Sequence, residues 1–515
     1  MSSQLFSDLD RTAFEAVIVG NGALGLSLGL VLAQRGMRVA VVGDTARPLA
    51  ASSAAGAMNG CFGEVTPSLL QSEYGRLKLA MDVRATRLWD RWEQQLIESS
   101  DERRIRCADG TIVILNAIGV PEIDSAGYAA IRRALDEYQE PYEDLDPLDL
   151  DWLEPMPTSR PLRAMHIPRE HGVDTPALLR ALTAAFVRTG GVLIGEHVER
   201  LRIDKHRVQG LELRSGETIA AGTVVIAAGA SSHTLLGALP PELRDRIPAL
   251  VAGCGVALLV EASDASQPES VIRTPNRAFA CGLHVVPRGD GRIYLGATNE
   301  ILPAPSRTAA IGEMNLLLSG IRQLRADLVN GSIEKILVGN RPVPLDGFPL
   351  LGEAGVEGLW LMTGTYRDGL HQSPLLAEEL AARILGEPYD KELDVFTPIR
   401  RPLPAWTREQ CLETAIKHSV AVGFEHDWKL PEDFPSIIED EFRRSFQQTL
   451  DDIDPEFVPP PELLFFVDPE IHTALRRYYN AHRGASGTSA HTMGSEGVRV
   501  GPGRRRRHSR RATRI

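Results

Sequence analysis

The sequence predicts a mixed α/β protein, with a β-turn-α-β unit opening the chain and an antiparallel sheet in its middle. Three observations predict it. Residues 16–19 (AVIV) are a short β-branched run, followed by Gly20-Asn-Gly22-Ala23-Leu24-Gly25, a helical pattern to Gln34 and a second apolar run over 38–42. Residues 224–227 (VVIA) form a further buried-strand pattern that ends on Ala228-Gly229. Segments 253–261, 282–287 and 292–297 have the texture of antiparallel strands.

The bulk properties bound the answer. A chain of 515 residues is long enough for two or three cores, and 43% hydrophobic with 24% charged residues is a globular composition. A net charge of −12 argues against a nucleic-acid-binding body. Cys61, Cys107, Cys254, Cys281 and Cys411 are scattered without a CxxC pair, so neither a disulfide framework nor a metal site is expected, and a reducing cytoplasm fits. The longest apolar stretch, 17–33, is broken by glycines, and the first fifteen residues lack the charge pattern of a signal peptide. The protein is therefore expected to be cytoplasmic and to use no membrane.

Taken in order, residues 74–98 read as a long amphipathic helix, 101–115 as a hairpin around Asp109-Gly110, and 126–139 as a helix. The acidic, proline-bearing stretch 140–161 reads as a loop. Asp174-Thr175-Pro176 starts a helix that runs to Arg188, with a capping side chain followed by proline in the first turn. Strands follow at 192–194, 208–213 and 223–227, then a helix at 311–329. After Pro398 the texture changes to helices at 407–420 and 437–450 with proline-rich joints. Residues 484–515 are rich in Gly, Ser and Arg and read as a disordered basic tail. Solvation alone explains such a tail; an acidic partner or membrane surface is the alternative.

The Gly20-x-Gly22-x-x-Gly25 spacing lets the backbone turn tightly and approach a pyrophosphate held at a helix N-terminus. A glycine-rich turn without a ligand is the plainer alternative, and the motif does not separate NAD from FAD. Gly43 stands where a ribose-binding acid is normally found; Asp44 follows it and is the candidate for that role. Ser52, Ser53, Ala54, Ala55, Gly56, Ala57 and Met58 form a small-residue stretch that lets backbone lie close to a flat ligand.

Together, the early glycine motif, SSAAGAM, VVIAAG, GATNE, GNRPVPLDGFPLLGE and TGTYRDGLHQSP occur in the order found in the D-amino-acid oxidase superfamily, and the chain most resembles its glycine oxidase branch over about residues 16–388. The resemblance implies a noncontiguous Rossmann-type FAD-binding domain (14–80, 165–235 and 335–390) and an α+β substrate domain around an antiparallel sheet (81–164 and 236–334). A helical C-terminal extension (391–483) is left outside it.

The resemblance further implies noncovalent FAD, contacted by Gly20, Gly22, Ala23, Leu24, Gly25, Asp44, residues 52–58, Val198, Ala228, Gly229, Asp368, Gly369, Leu370 and His371. It implies that Arg341 grips a substrate carboxylate, with Arg367 a second arginine beside the flavin, both also touching the cofactor. His284 and Asn299 fall where the branch usually has tyrosine and methionine, and with Met58 they are expected to line the substrate pocket. A protonated His284 would meet a second carboxylate on the substrate. No protein side chain is expected to act as catalytic base, since the flavin carries the redox chemistry.

The implied reaction is oxidation of a carbon–nitrogen bond beside a carboxylate, with molecular oxygen as the second substrate. The favoured substrate is an N-carboxymethyl β-amino acid, giving glyoxylate, a free β-amino acid and hydrogen peroxide in antibiotic biosynthesis; this subgroup prepares β-amino acid starters of macrolactams. A glycine or sarcosine oxidase, a D-amino-acid dehydrogenase and a flavin-binding scaffold are the alternatives. A homo-oligomer is left open.

Overall fold

Alternation along the first strand explains why the chain builds a layered core. In the computed structural model, which describes residues 13–425, 428, 431, 434–466 and 468–483, this strand is Ala13–Val19. Ala16 and Ile18 face one apolar cluster, while Val17 and Val19 face another on the opposite side. A strand buried on both faces is apolar, as residues 16–19 are; Glu15, near the start of the strand, is exposed.

It lies in the middle of a sheet ordered Leu350–Glu353, Leu359–Thr363, Thr218–Ile226, Ala13–Val19, Val39–Val42, Val192–Ile194. The last five are parallel, and the edge strand Leu350–Glu353 is antiparallel to its neighbour. Helices Ala23–Gln34, Glu73–Glu98, Thr175–Arg188 and Gly369–Leu385 cover one face. The hairpin Val198–Asp204 and Arg207–Leu213 covers the other.

The second sheet runs Glu300–Leu302, Leu250–Glu261, Arg292–Gly296, His284–Gly289, Val271–Arg273, Arg106–Asn116, Pro161–Val173, Met58–Asn59, with Ser332–Pro344 also paired along Leu250–Glu261. The divisions expected at 165 and 335 fall inside Pro161–Val173 and Ser332–Pro344, both of which belong to this sheet.

Four local expectations change. Asp109-Gly110 is not a hairpin turn: it sits at a register shift within the strand Arg106–Asn116, where Gly110 takes φ +75° and a Cβ would lie 2.0 Å from His166 Nε2. The helix expected over 311–329 ends at Gly320 and continues as two tight 3₁₀ turns. The stretch 140–161 contains a short strand, Glu143–Leu145, added to Pro161–Val173. The strand Val198–Asp204 was not foreseen, its alternation being diluted by exposed charged residues. The start of the helix Thr175–Arg188 is as read, with the Asp174 carboxylate accepting the Ala177 N–H at 2.8 Å.

The C-terminal extension forms helices Arg408–Glu425, Phe434–Ile453, Pro461–Phe465 and Pro469–His482. It docks through Ile453, Phe457, Leu463, Ile471, Leu475, Tyr478 and Tyr479 onto Val251, Val343 and Leu345. A buried two-pronged ion pair, Arg400 with Asp346 (2.7 and 2.8 Å), fastens its start to the turn after Ser332–Pro344. The expected tail, 484–515, lies outside the described residues. Among the described residues no helix is long and apolar enough to cross a membrane.

Candidate active site

The glycine motif is dictated by close backbone approach. Gly20 has φ +117°, and a Cβ there would lie 2.3 Å from the Ala227 carbonyl oxygen. A Cβ on Gly25 would lie 1.8 Å from the Gly20 carbonyl oxygen, so the helix could not seat against the strand. Gly22 is the looser position, with only Ser52 Oγ at 3.2 Å. Ser52 Oγ accepts the Ala23 N–H, tying the small-residue stretch to the helix start.

Above this turn lies a cavity of about 500 Å³, on the scale of known ligand sites. Gly20, Gly22, Ala23, Leu24, Asp44, Ser52, Ala54–Met58, Val198, Ala228 and Gly229 line one part of it. His284, Arg341, Arg367, Asp368, Gly369, Leu370 and His371 line another. Two helix N-termini, those of Ala23–Gln34 and Gly369–Leu385, therefore open into one cavity, each with its positive dipole end. Neither is capped by the residue that precedes it; Ser52 takes one N–H at the first. A tight glycine turn and two helix starts opening into one cavity suit a ligand that carries a pyrophosphate and an electron-accepting ring system.

Three expected site residues are placed elsewhere. Gly25 packs beneath the turn, Ser53 is exposed on the outside of the short helix Ala51–Ala54, and Asn299 does not line the cavity. Asp44 does line it; one carboxylate oxygen accepts the Ala46 N–H at 2.8 Å. Asn21 donates to the Gly43 and Asp44 carbonyls, and Arg47 Nε donates to the Asn21 carbonyl, so the ends of the two strands are laced together.

The cation at the far end is built by the second sheet. Arg341 lies on Ser332–Pro344, opposite Gly253 of Leu250–Glu261. A Cβ on Gly255 would sit 2.4 Å from Arg341 Nη1, so this glycine makes the space for the guanidinium. Nη1 donates to Asn299 Oδ1 (3.0 Å) and the Thr298 carbonyl (3.2 Å). Among the described residues no carboxylate oxygen lies within 4 Å of it. The sequence reading made Asn299 a pocket wall; instead Asn299 holds Arg341 with its oxygen and donates its amide to Tyr366 Oη (2.7 Å) and the Phe279 carbonyl (3.1 Å).

Arg367 lies over the Tyr366 ring, 4.7 Å from its centre. Its nearest carboxylate, Glu64, is 4.0 Å away, and Nη1 has no hydrogen-bond partner among the described residues. Burial opposes its charge, but Cys281, Tyr366, Glu64 and Asp368 outweigh this and raise its pKa.

Glu64 is a residue the sequence did not single out. Burial alone would raise its pKa; the Arg273 and Arg367 charges and the bonds from Arg273 (2.6 Å) and Asn276 (3.0 Å) bring it down to about 2. A carboxyl held below its ordinary 4.5 adds stability that is complete above that value and is lost as pH falls through about 2. Between about pH 6 and about pH 3, wild type should therefore lose about 2 kcal/mol of stability relative to Glu64→Gln. Urea melts of both proteins at the two pH values check this; parallel changes would refute it.

His284 is buried at 2% exposure, stacked on Tyr294, with Nδ1 donating to the Gly282 carbonyl at 3.0 Å. Burial, with Arg273 adding, lowers its pKa to about 3, so the ring is neutral near pH 7. The expected protonated partner for a second carboxylate is thus not His284 in this state; its free Nε2 is an acceptor. Tyr294 Oη donates to the Ala54 carbonyl and Arg288 to the Gly56 carbonyl, pinning the small-residue stretch. At the other helix start, Asp368 pairs with Lys78, which also meets Asp82 at 3.0 Å, and Gln372 donates to Asp82. His371 bonds Asn59 and the Asp82 carbonyl. Gly253 and Gly255, alternating within a strand, were the sequence signal for a close approach here. The Glu64–Arg273 pair, 209 residues apart, left none.

The parallel sheet with its glycine cradle defines a dinucleotide-binding protein, and two half-buried arginines, Arg341 and Arg367, line the adjoining part of the same cavity. The chain belongs to the FAD dependent oxidoreductase (DAO) family, whose sequence profile matches residues 15–383. FAD is the family's cofactor, and the cradle fits it. The chain is 27% identical over 396 residues to the bifunctional protein ThiO/ThiG of Nostoc sp., covering 74% of this chain and 54% of that one. It is 29% identical over 371 residues to the glycine oxidase of Geobacillus kaustophilus, covering 70% of this chain and 90% of that one. The crystal structure of glycine oxidase from the same organism superposes with a TM-score of 0.63 at 25% identity, over 76% of this chain and 99% of that one. The chain thus spans about half the length of the bifunctional relatives it matches.

Proposed function

We propose that the protein oxidises the carbon–nitrogen bond of a glycine unit carried by a larger amine, an N-carboxymethyl β-amino acid, in antibiotic biosynthesis. The observation that carries this reading is the pair of arginines lining one cavity: among the described residues Arg341 is held by no carboxylate, and Arg367 meets only Glu64, at 4.0 Å, a carboxylate that Arg273 already bonds. Such a substrate has two carboxylates, one on the glycine unit and one on the β-amino acid, and two cations match it. Glycine, sarcosine and D-alanine have one.

Bound noncovalently, FAD supplies the two-electron acceptor. Arg341 holds the glycine-unit carboxylate through paired N–H bonds and so fixes the adjacent carbon against the cofactor. Arg367 takes the second carboxylate, with Tyr366 beneath it. His284 Nε2 and Met58 bound the space between. The sum is balanced: amine, oxygen and water give glyoxylate, the free β-amino acid and hydrogen peroxide.

Anaerobic mixing of the yellow protein with candidate amines tests the reading. N-carboxymethyl-3-aminobutanoate should bleach the flavin with at least tenfold higher efficiency than glycine, sarcosine or D-alanine. Faster bleaching by any of the three would favour a simple glycine or sarcosine oxidase or a D-amino-acid dehydrogenase. Peroxide release under air separates the oxidases from the dehydrogenase, and no bleaching by any amine would leave a flavin-binding scaffold. Acid precipitation should release the yellow colour; colour retained on the protein would refute noncovalent attachment.

A further inference from the structure

The helical extension lies beyond the residues matched by the family profile, and the glycine oxidase structure is matched along 99% of its own length without needing a quarter of this chain. Yet the extension touches the network that sets the arginines. Ala278 and Phe279 are consecutive non-glycine residues at φ +46° and +61°. A backbone pair in that region persists only where its surroundings hold it there. Part of the restraint comes from Arg277, which pairs with Asp124 and donates to Gln323. The turn is closed by the Ala280 N–H on the Arg277 carbonyl, and the extension adds a further restraint. His418 Nδ1 accepts the Phe279 N–H at 3.2 Å, and its ring stacks on Phe279 with centroids 4.1 Å apart. Phe465 packs against the same ring at 5.4 Å.

What Phe279 then holds is the clamp. Its carbonyl accepts from Asn299 Nδ2 (3.1 Å) and Tyr366 Oη (3.4 Å). Asn299 Oδ1 accepts from Arg341, and Tyr366 is the platform under Arg367. The extension also packs on Val343, two residues along the strand from Arg341, and that side chain, Asn299 and Tyr366 converge above Gly253. His418 is suited to its part: burial, with the Arg367 charge adding, lowers its pKa to about 3, so Nδ1 is free to accept.

We propose that the C-terminal extension is a positioning element of the carboxylate clamp, acting through the contact of His418 and Phe465 with Phe279. His418 is a positioning residue, not a catalytic one. The inference rests on the reading of Arg341 and Arg367 as a carboxylate site, but not on which amine is oxidised. Displacing a binding group by about an ångström is enough to lose orders of magnitude in rate.

The test uses the full-chain holoenzyme and glycolate as probe, titrated by the change it makes in the flavin spectrum, with FAD content and melting temperature measured alongside. His418→Ala should weaken glycolate binding about tenfold with FAD retained, and His418→Asn, whose Oδ1 can accept the Phe279 N–H, should recover most of that loss. With amine substrate, KM should rise more than kcat falls. In a double-mutant cycle with Asn299→Ala the losses should overlap, since both act on one network. Phe465→Leu, a milder change, provides the same readout should His418→Ala not fold. Glycolate affinity within twofold of wild type in the folded variants, or fully additive losses, overturns the inference. Wild type that does not bind glycolate at all overturns the clamp reading and this inference with it.

Discussion

Arg341→Ala should give a folded, yellow protein whose kcat/KM for the amine falls roughly 10²–10³-fold, consistent with about 2–5 kcal/mol for removing one partner of a buried charged pair. Three features make this effect large. The guanidinium is held by Asn299 Oδ1 and the Thr298 carbonyl rather than by a carboxylate, so it arrives at the cavity with its charge uncompensated. Gly255 leaves space for it that no other residue would. The strand Ser332–Pro344 that carries it is paired along the length of Leu250–Glu261, so the position is rigid. Arg341→Lys should recover little, because an ammonium cannot make two parallel bonds to a carboxylate. Rates of anaerobic flavin bleaching against amine concentration check this. Efficiency within threefold of wild type, with FAD bound, would remove Arg341 from the binding site.

The second large effect is expected at the glycine cradle, and it should be graded. Gly20→Ala and Gly25→Ala place a methyl group 2.3 and 1.8 Å from backbone oxygens that cannot move without dismantling the sheet–helix junction. Together with the strain of a side chain at φ +117°, Gly20→Ala should cost on the order of 3–5 kcal/mol. Both variants should purify colourless or not at all. Gly22→Ala meets only the Ser52 hydroxyl at 3.2 Å, a side-chain end that can turn away, and should keep part of its flavin. The ratio of visible to ultraviolet absorbance, with thermal melts, ranks the three. A colourless Gly22→Ala beside a yellow Gly25→Ala would contradict the geometry.

Much of the cofactor site was legible because its signals are local. Gly20, Gly22 and Gly25 lie within six residues, and their spacing states the need for close approach directly. Asp174 before Thr175-Pro176 marks a helix start by chemistry that acts over three residues. The Asp109-Gly110 reading failed for the same reason that such readings often succeed: a glycine with positive φ serves a hairpin turn and an irregularity within a strand equally well, and only the partner strand decides which.

The substrate end was legible only in outline. Arg341 could be picked out within its motif, but not the 3.0 Å bond it donates to Asn299 Oδ1, which aims it. His284 could be picked out as a departure from the branch's tyrosine. Its neutrality comes from burial and from the charges of Arg273 and Arg341, which no neighbouring letter of sequence discloses. The same holds for the extension: composition marks helices after residue 398, but the stacking of His418 on Phe279 joins positions 139 residues apart.

By itself, then, the sequence determined the family and with it the cofactor class, because several short motifs stand in a fixed order over residues 16–388, and it marked Arg341 as the cation expected to face a carboxylate. Tertiary structure alone decided which side chains hold that cation, which histidine is uncharged and what stands behind Phe279, because those depend on burial and on contacts between distant segments.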